Sequence, residues 1–258
     1  MVRRGPSPGK DRGGRTARPA RDVWLAPGMD PIAAWSTAYA RVVDLVAALD
    51  ERQLAARVPA CPDWTVHDLL AHMVGLGVDV LAGDEPDDHH RAWTQVQVDA
   101  RAGHGAAELL AEWAEVAERL PGWMQEHGSR PLNDVVIHEQ DLRGAVGVPG
   151  ARTGDGPAIV RDRMAARLAG VLAGRPELPA LALEEAPRPG RAPWSWCSSG
   201  AVRDAAVVLR GSGFDLFRAL TSRRTADQLR RLTVRGDVSP HLDAFALLGP
   251  LPLEPLPE

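Results

Sequence analysis

Apolar positions recur along the first half of the chain at steps of three and four, the spacing of one face of a helix. Ile32, Trp35, Tyr39, Val42, Val46 and Leu49 form one such stripe and predict a helix over 31–50. Asp30 followed by Pro31 supplies an N-cap with proline at the first helical position. A second helix is expected from Thr65, where Thr65 and Asp68 stand at capping-box spacing and Leu69, Leu70, Met73 and Val74 form the inward face. A third runs over about 91–120 with a break near Gly103 and Gly105, on a core of Leu109, Leu110, Trp113, Val116 and Leu120. A fourth begins near Pro131 and reaches about Ala145. The connection RVPACPDW between the first two carries two prolines that block helix. Four amphipathic helices with mostly short links read as a bundle.

The texture changes after GVPGARTGDGP. One more helix fits 157–173; then LALEEA, PWSWCSS, AVVLRG and LTVRG read as strands, and FDLFRALTSR and TADQLRRL as helices. The expected fold is α+β, divided into a basic tail at 1–29, a helix bundle at 30–175, a smaller α/β module at 176–250, and an extended Pro-rich tail at 251–258.

Composition adjusts this picture in two places. The formal net charge is −4, but residues 1–29 hold seven basic side chains against Asp11 and Asp22. That tail reads as a short disordered arm, and Met29 is an alternative start. The body is acidic, which argues against nucleic-acid binding. No apolar run is long enough for a membrane span or a signal peptide. Two distant cysteines, Cys61 and Cys197, make no disulfide framework, and the expected location is the cytoplasm. Cys61 precedes a helix N-terminus, but it reads as a small buried residue in a tight turn.

The chemistry concentrates in LLAHMVG and NDVVIHEQDL. Asp134 and His138 are four residues apart and share a helix face; His72 points inward from another helix. If the helices pack together, two imidazoles and a carboxylate converge, as in a three-ligand metal site with positions left open. A structural Asp–His network stands as the equal alternative. Asp141 could accept a hydrogen bond from a ligating imidazole, and Glu139 could replace Asp134 as the carboxylate ligand. The cluster Asp87, Asp88, His89, His90 reads as an acidic surface turn. Arg223 and Arg224 follow FDLFRAL and suggest a carboxylate clamp or a solvated pair; Trp64, Trp194 and Trp196 suggest either a pocket lining or ordinary packing.

VPACPDWTVHDLLAHMVG resembles the N-terminal signature of the maleylpyruvate isomerase family of mycothiol-dependent enzymes, within the wider DinB-like metalloenzymes. DVVIHEQDLRGAVG is similar to that family's fourth-helix motif, and LRGSGFDLFRALTSRRTADQLRRLTVRGD to its C-terminal segment. The resemblance implies a DinB-like four-helix bundle followed by a sterol-carrier-like α/β module. It implies a divalent metal, usually zinc, held by His72, His138 and Asp134, the last standing where the family commonly has Glu. It also implies mycothiol as thiol cosubstrate, bound as thiolate and attacking a small electrophile, in cis-trans isomerisation or S-transfer. Arg224 is then expected to clamp a substrate carboxylate. Use of that thiol suits an actinobacterial, Arg- and Ala-rich chain. Expected partners are therefore the thiol and a small electrophile, with no nucleic acid or membrane, in a monomer or homodimer. Two alternatives remain: a non-catalytic metal- or small-ligand-binding regulatory protein on the same scaffold, and a non-haem Fe(II) oxygenase.

Overall fold

A computed structural model describes residues 28–86, 91–190 and 192–258. Most of the expected basic tail, residues 1–27, and the Asp87–His90 cluster lie outside the described residues.

The stripes fold as their spacing predicts. Helix α1 (Pro31–Ala47) is capped by the Asp30 side chain, which accepts from the backbone N–H groups of Ile32 and Ala33, and it buries Trp35, Ala38, Val42 and Val46. A four-residue turn of helix, α2 (Glu51–Leu54), has its own capping box from Asp50 and Gln53. The proline-bearing connection is a small antiparallel hairpin, β1 (Arg57–Val58) and β2 (Cys61–Thr65). Its end positions the N-cap of α3 (Val66–Ala82), where Thr65 and Asp68 form the expected capping box.

The third predicted helix is two, α4 (Arg91–Asp99) and α5 (Ala106–His127). Helix α5 continues past Pro121 for nearly two turns, because Leu120 and Met124 on either side are both buried; core burial offsets the hydrogen bond that proline removes. Helix α6 (Pro131–Val146) starts at its proline and stops at Gly147, whose left-handed φ of 68° ends the helix. Helices α1, α3, α5 and α6 pack on one another. Gly77 permits the α3–α5 contact: a Cβ there would lie 2.6 Å from Val116 Cγ1.

Helix α7 (Asp155–Ala173) leads into a four-stranded sheet in the order β4 (Ser195–Cys197), β3 (Leu181–Glu185), β5 (Val207–Gly211), β6 (Thr233–Arg235). Strands β3 and β5 run parallel, and the outer pairs are antiparallel. Side chains alternate across a strand. Leu181, Leu183, Val207 and Leu209 therefore join the main core, while Ala182 and Val208 lie in a small cluster on the other face. Helix α8 (Gly213–Leu220) packs on α7, and α9 (Ala226–Leu232) leads into β6. The main core runs continuously from α1 to Leu247, across the boundary expected near residue 175. Among the described residues no helix is long and apolar enough to cross a membrane.

Candidate metal centre

Helices α3 and α6 bring His72, Asp134 and His138 together. Asp134 Oδ1 lies 3.2 Å from His72 Nε2 and 3.4 Å from His138 Nε2. The two rings stand nearly perpendicular with centroids 5.2 Å apart. His72 is buried; Asp134 and His138 are partly exposed and face a cavity of about 900 Å³.

The hydrogen bonds behind the rings define which nitrogen carries the proton. Gln97 Nε2 donates to Asp79 Oδ2 at 2.7 Å, which leaves Gln97 Oε1 to accept from His72 Nδ1–H, also at 2.7 Å. Asp141 Oδ2 accepts from His138 Nδ1–H at 3.1 Å. Each neutral imidazole then presents a bare Nε2 toward Asp134. Two lone pairs and a carboxylate oxygen at one point repel unless a cation sits among them. Burial lowers the pKa of His72, but the charge and hydrogen bond of Asp134, with Gln97 and Asp79 behind, leave it raised. A proton is thus one cation the site attracts; a divalent metal is the other. A tetrahedral site with ligands near 2.0–2.1 Å has edges of about 3.4 Å, close to both observed separations. The donor set fits such an ion.

Asp141 is itself held from the C-terminal half of the chain. Arg218 Nη1 donates to its Oδ1 at 2.9 Å, and Arg223 Nη2 to its Oδ2 at 2.8 Å. Its side chain has no solvent exposure. Burial favours its neutral form, but Arg223, Arg218 and His138 hold its pKa well below the usual carboxylate range.

The remaining expectations resolve individually. Glu139 faces away from the cluster, where Arg41 grips it with bonds of 2.8 and 2.6 Å and Arg143 binds its Oε1. Trp64 lines the cavity, 5.0 Å from the His72 ring, whereas Trp194 and Trp196 pack against the core and do not line it. Cys61 also lines the cavity. Burial, with the charges of Asp141 and Asp134, pushes its pKa up to about 12 despite Arg223 and Arg218, so it stays a thiol. Cys61, His138 and Asp141 form a second close cluster, but the two guanidiniums on Asp141 oppose a cation there.

Arg224, expected to clamp a substrate carboxylate, lies elsewhere. Its guanidinium is engaged by Glu258 at 2.6 and 2.9 Å and by Asp215 at 2.9 Å, and it does not line the cavity. The neighbouring Arg223 does. Ser222, with φ of 59°, turns the backbone between α8 and this pair, and the two side chains reach different partners. Sequence reasoning missed Gln97, Asp79 and Arg218. A signal existed for Gln97, which stands four residues after Trp93, one helical turn along α4.

Comparison with known proteins bears on the whole arrangement. Residues 35–131 match the family profile described as the mycothiol maleylpyruvate isomerase N-terminal domain. That span includes His72 and ends just before Asp134 and His138. No curated protein sequence matches the chain. Two solved structures share its fold: the mycothiol-dependent maleylpyruvate isomerase, at 15% identity and a TM-score of 0.50, and a histidine-to-alanine mutant of it, at 16% and 0.52. Each alignment covers 81% of this chain and 93% of the other. Residues 35–131 therefore carry a domain that matches the mycothiol maleylpyruvate isomerase N-terminal domain, within a fold shared with that enzyme.

Proposed function

We propose that the chain is a mycothiol-dependent metalloenzyme that adds a thiol to a small electrophilic substrate, with cis-trans isomerisation or S-transfer as the outcome. The observation that carries this reading is the convergence of two imidazole Nε2 atoms and the Asp134 carboxylate within 4.8 Å of one another, each ring anchored from behind. The family of residues 35–131 and the activity of the two fold relatives support the thiol and the isomerase class. In this reading α1, α3, α5 and α6 are the DinB-like four-helix bundle, and residues 176–250 are the sterol-carrier-like module.

His72, Asp134 and His138 would hold the divalent metal, zinc by the family's pattern. When bound, it supplies positive charge that keeps a coordinating thiol deprotonated at neutral pH. The chain's own residues prepare the place. Gln97 and Asp141 fix both imidazole tautomers and ring orientations. Trp64, Leu76 and Ile137 give the cavity an apolar wall that lowers the local dielectric and strengthens charge interactions. Asp134, one methylene shorter than Glu, would hold such an ion from closer to the α6 backbone.

The direct test incubates the zinc-loaded protein with mycothiol and a panel of small electrophiles, with and without a chelator. The expected result is chelator-sensitive consumption of electrophile that requires the thiol. Metal and thiol binding without turnover of any electrophile would favour the non-catalytic ligand-binding alternative. A second measurement concerns the ring behind the site. Gln97→Ala is expected to weaken metal binding about 10–100-fold, measured by competition with a chelating dye; an unchanged affinity would remove Gln97 from this role.

A further inference from the structure

We infer that Arg167 is the cavity's receptor for a carboxylate on the second reactant. Among the described residues four guanidiniums line the cavity: Arg91, Arg130, Arg167 and Arg223. Three are already neutralised. Arg91 binds Asp63 at 2.6 Å, Arg130 binds Glu85, and Arg223 binds Asp141 at 2.8 Å. Arg163, one turn earlier on α7, donates to Ser129 and Asn133. Arg167 has no hydrogen-bonding or ionic partner among the described residues. In a chain with 34 acidic side chains against 30 basic ones, this cation is left open at the wall of the cavity.

The charges of the cavity then ask for a specific complement. Among the described residues the three pairs leave Arg167 as the lining guanidinium with no counter-charge, while His72, Asp134 and His138 form the metal centre. A dication at the histidines, less the charge of Asp134, leaves one positive charge there, and Arg167 supplies another. A thiolate answers the first. A carboxylate answers the second, and guanidinium geometry suits it through two parallel N–H donors. Placing that carboxylate on the electrophile rests on the thiol-addition reading above; the receptor itself does not. Arg167 is solvent-exposed on a helix, so its removal should leave the fold intact.

Two experiments on the full chain separate these claims. In the first, succinate and succinamide are titrated calorimetrically into the wild type, Arg167→Ala and Arg167→Lys. Arg167→Ala should weaken succinate binding about tenfold, a modest charge-assisted effect fitting an exposed group. Arg167→Lys should recover part of it, and succinamide should be weak throughout. Equal succinate affinity in wild type and Arg167→Ala, or no preference for succinate over succinamide in the wild type, overturns the assignment. In the second, mycothiol alkylation by iodoacetate is compared with that by iodoacetamide. Sulfur bonds to the methylene carbon, iodide departs with the electron pair of the C–I bond, and the thiol proton goes to solvent. Arg167→Ala should raise KM about tenfold for iodoacetate alone. If succinate binding depends on Arg167 while neither reagent is turned over, the thiol reading fails and the receptor stands. If both are turned over with no effect of the substitution, the receptor fails and the thiol reading stands.

Discussion

Replacing Asp141 with alanine is expected to destabilise the protein by about 3–5 kcal/mol at neutral pH. The reason is the burial of its partners. Arg218 has no exposed surface and Arg223 almost none, so removal of the carboxylate leaves two guanidiniums close together with their shared anion gone. Arg218 keeps Glu258 and Arg223 keeps the Thr221 carbonyl, which places the loss within that range rather than beyond it. Asp141→Asn separates charge from shape: it retains the side-chain volume and should lose most of the same stability. The acid dependence follows from the depressed pKa. Because the folded protein holds Asp141 well below the ordinary 3.8, its stabilisation is complete above the unfolded value and disappears as pH falls through the folded one. Urea melts should therefore show a wide gap between wild type and Asp141→Ala at neutral pH that narrows only below the ordinary carboxylate range. A gap under about 1 kcal/mol at neutral pH, the level of an exposed pair, would mean that Asp141 is not the anchor between α6 and the segment after α8.

The contrast between Asp141 and its neighbours shows what could be read from the sequence. Helix stripes, the Thr65 cap and the proline starts of α1 and α6 are local patterns, and each produced the element it predicts. Asp134 and His138 were legible as a pair because four residues is one helical turn. His72 was legible because it interrupts an apolar face. The hairpin at 57–65 escaped because a two-residue strand and a five-residue partner interrupted by proline carry no clear alternation, and the end of α5 escaped because the burial of Leu120 and Met124 carries the helix through Pro121. Pairing between distant charges was the larger gap. Nothing in SRRT distinguishes Arg223 from Arg224, yet one meets Asp141 at the cavity and the other meets Asp215 and Glu258. The positive φ of Ser222 and the docking of the tail decide between them, and both are products of the folded chain. Glu139 and Asp141 illustrate the same point: two residues apart on α6, they are consumed by arginines from opposite sides.

Metal analysis of the purified protein should find about one divalent ion per chain, falling to about none in His138→Ala. Two ligands would remain in that variant, His72 and Asp134, and neither belongs to a chelating pair on one helix. Removing His138 also strips Asp141 of one of its donors, so a fall in stability alone would not establish a ligand. The two effects separate through zinc itself. An ion that binds only the folded state stabilises it by about 2.7 kcal/mol at one hundred times its Kd. Added zinc should therefore raise the wild-type melting temperature and a chelator should lower it, while His138→Ala should respond to neither. Asp134→Ala should lose the response too, without disturbing Asp141 or its arginines, because Asp134 touches the imidazoles on the cavity side. Asp134→Glu should keep it, since the longer carboxylate still faces the same two Nε2 atoms from the partly exposed side of α6. A wild type that carries no metal and melts identically with zinc and with chelator would reduce the cluster to a proton-holding Asp–His network, which the raised pKa of His72 already accommodates.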